Sequence, residues 1–244
     1  MKLSTILTAS VLTGTVVVGG SGVAFAAGND NAGPSASEAR ADAGDRAPLT
    51  KDDCLTALDR RVEILGQANE RIDGADKVTE AHRSAMKAIN DTAVAGLGSL
   101  RAEIEAGTDP DAVKQDCAAV FTEYRVIALR IPQERLVGAV DRIQFAIDNS
   151  DARIAKLQAA IDKAASNGKD VTAANASMDA LKAKIADASA DVDGLADSVL
   201  AYAPADWNAN HDLLVPARDK VKDAAGDLKA ALDDAKSVIR SLRG

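Results

Sequence analysis

Few residues of this 244-residue chain could do chemistry, and they lie far apart. Its only thiols are Cys54 and Cys117, and its only imidazoles are His82 and His211. The cysteines form no CxxC and have no His-rich stretch nearby, so a redox or metal pair lacks its usual spacing. In an exported chain, two thiols and no third favour a structural disulfide. Each Cys falls near the start of its own predicted helix, and the two helices run the same way. A bridge there closes a loop of ~60 residues and restricts the unfolded chain by roughly 4 kcal/mol.

His82 sits near an apolar helical seam, and a boundary histidine is the simpler reading there. His211 stands with Trp207, Asn208, Asn210 and Asp212, the densest polar and aromatic cluster in the chain. That cluster reads either as a small pocket or as a Trp plug with capping Asn and Asp residues. Arg125, Arg130, Arg135 and Arg142 flank Pro132 and form a local basic collar on an acidic protein. Such a collar suits an acidic partner. It equally suits neutralisation of neighbouring carboxylates, with the stems covering apolar seams. Trp207, His211 and the four arginines are the candidate interaction residues.

Other chemistries lack their residues. There is no G-x-S-x-G elbow, P-loop or dinucleotide fingerprint. The run 189–194, SADVDG, fails as a calcium loop because its first residue is Ser189 and its twelfth is Leu200. Two separated histidines and a disulfide leave no metal set. The expectation is a non-enzyme with no cofactor and no metal.

What must position these residues is helical. Apolar residues recur every three and four positions through Val171, Ala174, Met178, Leu181, Ile185, Ala188, Val192, Leu195, Val199 and Tyr202. That spacing predicts one long helix packed lengthwise on others. A first helix follows Thr50 and Asp53 with Cys54, Leu58, Val62, Leu65 and Ile72 on one face, ending at Gly74. A second begins near Asp76 and ends at Gly107; Gly96 and Gly98 weaken its middle or admit close approach. Asp109-Pro110 starts a third. Its seam is interrupted at Pro132, where a kink that rotates the buried face is expected, with a full break as the alternative. The seam resumes at Leu136 and runs to Ala164, and Asn167-Gly168 turns the chain. A less regular piece, 205–215, precedes a last helix opened by Pro216.

The predicted fold is all-α, an elongated antiparallel bundle. An N-terminal three-helix bundle (50–131) and a long coiled-coil-like one (132–244) share the Pro-kinked helix. Ahead of them, residues 1–26 have a Lys2 n-region, an apolar stretch and Ala24-Phe25-Ala26, the pattern of a cleaved signal peptide. Residues 27–49 are rich in Gly, Asn, Asp, Ser, Ala and Pro, the composition of a disordered leader. Loss of Lys2 with the signal leaves 28 basic against 37 acidic residues, a net charge of −9. That charge repels nucleic acid and anionic lipid, and few rings offer base stacking. Neither nucleic acid nor, after cleavage, a membrane is expected as a partner.

The segments 124–143, YRVIALRIPQERLVGAVDRI, and 208–219, NANHDLLVPARD, resemble uncharacterised secreted helical proteins of high-GC Gram-positive bacteria. The resemblance implies an exported helical protein and carries no catalytic residue across. The expected role is a secreted spacer or protein-interaction module at the cell envelope, with an unidentified protein partner. A carrier of a small molecule or metal in a gap near Trp207 and His211 is the alternative. Self-association would use the same heptad signal as internal packing.

Overall fold

A computed structural model describes residues 50–243, so the expected signal peptide and leader lie outside the described residues. The described residues are all-α, without strands. Helix α1 covers Lys51–Asp73, α2 Glu80–Ala106 and α3 Pro110–Thr122. A π-helical turn, Val126–Arg130, leads into α4, Ile131–Asp148. Then follow α5, Asp151–Ser166, α6, Thr172–Val192, and two short helices, α7, Leu195–Leu200, and α8, Pro204–Ala209. The last, α9, is Val215–Arg243.

Local chemistry sets several boundaries. Thr50 Oγ1 accepts the Asp53 amide at 3.1 Å while Asp53 Oδ2 accepts the Thr50 amide at 3.1 Å, a reciprocal cap for α1. Asp109 accepts the Asp111 amide at 3.0 Å ahead of Pro110. The second helix starts later than expected. Thr79 is its cap, accepting the His82 amide at 3.2 Å, and 74–79 forms a turn.

Three apolar cores follow one another. The N-terminal core joins α1, α2 and α3 through Leu58, Leu65, Leu97, Ile104, Val120 and the cysteines. The distal core joins α5, α6 and α9 through Ile161, Met178, Leu181, Ala231 and Val238. Between them the central core takes Ile72 from α1, Val78 from the 74–79 turn and Met86 from α2. It packs them with residues of α4, α6, α7 and α9. A central core thus lies between the N-terminal and distal ones and draws on helices of both.

The helical run that carries Pro132 is interrupted ahead of it, at 123–125. The helix ends at Thr122, and Arg125 takes the left-handed conformation at φ 44°. That conformation costs an L-residue roughly 1–2 kcal/mol. It is offset by what the turn buries: Val126 enters the N-terminal core and Leu129 the central one. Pro132 falls inside the helical run 126–148: Arg130 before it is already helical, and the Ile131 amide donates to the Val126 carbonyl, so the π-turn lies directly on the side where the proline supplies no amide. Two further breaks interrupt seams that read as continuous. The 132–167 run divides at Asn149-Ser150, where Asn149 Nδ2 donates to the Phe145 carbonyl at 2.6 Å. The 171–202 run divides at Asp193-Gly194, with Gly194 at φ 61°.

The two glycines of α2 differ. A Cβ on Gly96 would stand 2.6 Å from the Tyr124 hydroxyl, whereas one on Gly98 would meet nothing within 4 Å. Tyr124 packs on the N-terminal core and precedes the left-handed Arg125, so its ring has little freedom to retreat. Gly98→Ala should therefore stabilise the protein by about 0.5–1 kcal/mol. Gly96→Ala should destabilise it by about 1–2 kcal/mol despite the same gain in helix propensity. Paired urea titrations compare the two, and equal shifts of the same sign would contradict the close packing of Tyr124 on α2.

Candidate functional site

The polar residues gather where the N-terminal helices meet α4 and α7. Asp141, on the buried face of α4, is 4% exposed. Its carboxyl accepts the Thr79 amide at 2.8 Å and lies 2.8 Å from His82 Nδ1. His82 Nε2 faces Asp197 Oδ1 of α7 at 3.4 Å. A His–Asp pair of this kind orients a base in many hydrolases. Here the second ring nitrogen faces another carboxyl, so no hydroxyl or thiol stands ready for activation. Among the described residues, no group of three or more His, Cys, Asp and Glu side chains is placed to hold a metal.

The arginine collar divides. Arg125 Nε donates to Asn208 Oδ1 at 2.6 Å, and Asn208 Nδ2 donates to the Thr122 carbonyl at 2.9 Å, closing the 123–125 turn against α8. Arg130 Nη1 donates to Gln133 Oε1 at 3.1 Å and to the Tyr202 carbonyl at 3.2 Å. Gln133, 2% exposed, donates through Nε2 to the Val199 and Tyr202 carbonyls at 2.7 and 2.9 Å. These two side chains supply donors to carbonyls at and beyond the C-terminus of α7, where the helical ladder ends. Burial lowers the pKa of both Arg125 and Arg130, and Glu134 partly opposes this at Arg130. Arg135 and Arg142 remain on the exposed face of α4.

Trp207 is half-buried against the central core, with its ring 5.8 Å from that of exposed His211. Leu213 and Leu214 follow it into the same core. Cys54 and Cys117 lie at disulfide distance, 5.6 Å between Cα atoms, inside the N-terminal core. The structure therefore brings Arg125, Arg130 and the Trp207 segment together and leaves the cysteines elsewhere. Gln133, Asp141 and Asn90 are the polar residues that sequence reasoning missed. Their one visible signal was a polar type adjoining or interrupting an apolar seam.

No family model matches this chain, and neither does any curated protein or solved structure.

Glu134 adds a pH signature. Burial raises its carboxyl above 4.5, opposed first by the Asn90 hydrogen bond and then by Arg71, Arg135 and Arg130. An acid with a raised folded value binds its proton in the native state before it does in the unfolded chain. The native state is therefore favoured as pH falls through that raised value and penalised above it. Glu134→Gln keeps an acceptor for Asn90 and removes the charge. It should be more stable than wild type near pH 7, with the advantage shrinking as pH falls toward 4.5. Urea unfolding across that range measures the difference, and a pH-independent offset would reject it.

Proposed function

We propose that the protein is an exported, non-catalytic helical bundle that works as a spacer or protein-interaction module at the cell envelope. One observation carries the reading: side chains that could perform chemistry are spent on tying helices together. His82 and Asp141 join α2 to α4, and Arg125, Arg130 and Gln133 hold the 199–208 segment. Among the described residues, no helix is long and apolar enough to cross a membrane. The part of the basic collar open to a partner is Arg135 and Arg142. They supply the attraction an acidic protein surface would need.

The test has two stages. Fractionation of the producing cells should recover protein shortened at residue 26, with oxidised thiols, in the envelope or medium. Cross-linking of those fractions should then link the protein to a partner through residues near 135 and 142. A variant with Arg135→Glu and Arg142→Glu should lose those links while keeping its melting temperature. Full-length, reduced protein confined to the cytoplasm would overturn export. Cross-links unchanged in the double variant would overturn the surface.

A further inference from the structure

The central core is polar where α2 meets α4. There Asn90 is 1% exposed, and its amide nitrogen is fully engaged. Nδ2 donates to Asn69 Oδ1 at 2.9 Å and to Glu134 Oε1 at 2.8 Å. Asn69 cannot be turned around, because its own Nδ2 donates to Asp91 Oδ1 at 3.0 Å. The side-chain oxygen of Asn90 is therefore fixed as an acceptor, and no protein donor reaches it. A buried acceptor left unpaired costs about 1–3 kcal/mol.

A cavity of about 10 Å³ lies beside it, lined by Met86, Ile89, Asn90, Arg130, Gln133, Glu134 and Leu200. This is the room one water molecule needs, and too little for an organic ligand. A buried water also needs two to four polar partners. The lining offers Asn90 Oδ1 and the Glu134 carboxyl as acceptors. It offers the Arg130 guanidinium as a donor, since only its Nη1 is engaged by Gln133 and Tyr202.

We propose that this cavity is a binding site for a single ordered water, which donates to Asn90 Oδ1 and Glu134 and accepts from Arg130. The guanidinium in the lining disfavours a cation, and the two oxygen acceptors disfavour an anion. The water links α2 to α4 and gives the orphan oxygen its partner at the joint between the N-terminal and central cores.

Water-selective NOE and ROE spectra of the ¹⁵N-labelled purified protein test this at the Asn90 side-chain amide. Cross-peaks of opposite sign at the water frequency are expected, the signature of a long-lived bound water. Glu134→Leu should abolish them with helicity retained, and Glu134→Gln should keep them. Absence of the peaks in wild type overturns the proposal. So does a high-resolution crystal structure with Asn90 Oδ1 bonded directly to a protein donor. Peaks that persist in Glu134→Leu reject the bridge.

Discussion

Replacing both Cys54 and Cys117 by Ala is expected to lower the unfolding free energy by about 4 kcal/mol. The bridge spans a sequence separation of 63 residues, so its loss releases a large loop in the unfolded chain. The effect should be uneven along the molecule. Helix α3 has 13 residues, and its buried residues are Cys117 and Val120. A helix so short is marginal without tertiary support. With the bridge gone, its hold on the N-terminal core is reduced mainly to Val120 and the partly buried Val113, Ala119 and Phe121. Hydrogen exchange should therefore quicken most across 110–122 and least across α6 and α9, which meet in the distal core. Urea unfolding with and without reductant gives the total, and exchange by mass spectrometry gives the distribution. A loss below about 1 kcal/mol, or uniform loosening of all helices, would contradict this account.

The cysteine pair was legible because it depends on few things: two thiols in the whole chain, each on a helix of the same small core. Caps were legible for a similar reason, since Thr50 with Asp53, and Asp109 with Pro110, act over three residues or fewer. The breaks were not. Nothing in Glu123-Tyr124-Arg125 resembles a turn signal, and Arg125 adopts its left-handed conformation because burial of Val126 and Leu129 repays it. Pro132 looked like the breaker, but the helical run 126–148 passes through it with a π-turn just ahead, and the break in the chain falls earlier, at 123–125. Gly194 hid inside the seam because Val192 and Leu195 on either side keep the period. At the site, the tie between His82 and Asp141 crosses 59 residues of sequence, and nothing local in either residue names the other.

That tie sets the second large effect. Asp141→Ala is expected to cost about 2 kcal/mol. The substitution removes the acceptor of the amide of Thr79, the exposed cap residue of α2, and the partner of Nδ1 of half-buried His82. Asp141→Asn keeps one oxygen for the Thr79 amide and should cost about 1 kcal/mol. Asp197→Ala should stay within about 0.5 kcal/mol of wild type, because the Asp197 side chain is 84% exposed and water screens its contact with His82. The three variants separate a positional role from a charge effect, since each removes one acidic side chain. A double-mutant cycle of Asp141→Ala with His82→Ala should show coupling of about 1 kcal/mol or more. Denaturant unfolding measures every term. Equal costs for Asp141→Ala and Asp197→Ala would mean that overall charge matters and the buried tie does not. The predicted inequality instead makes Asp141 the point at which α4 holds the start of α2 against the central core.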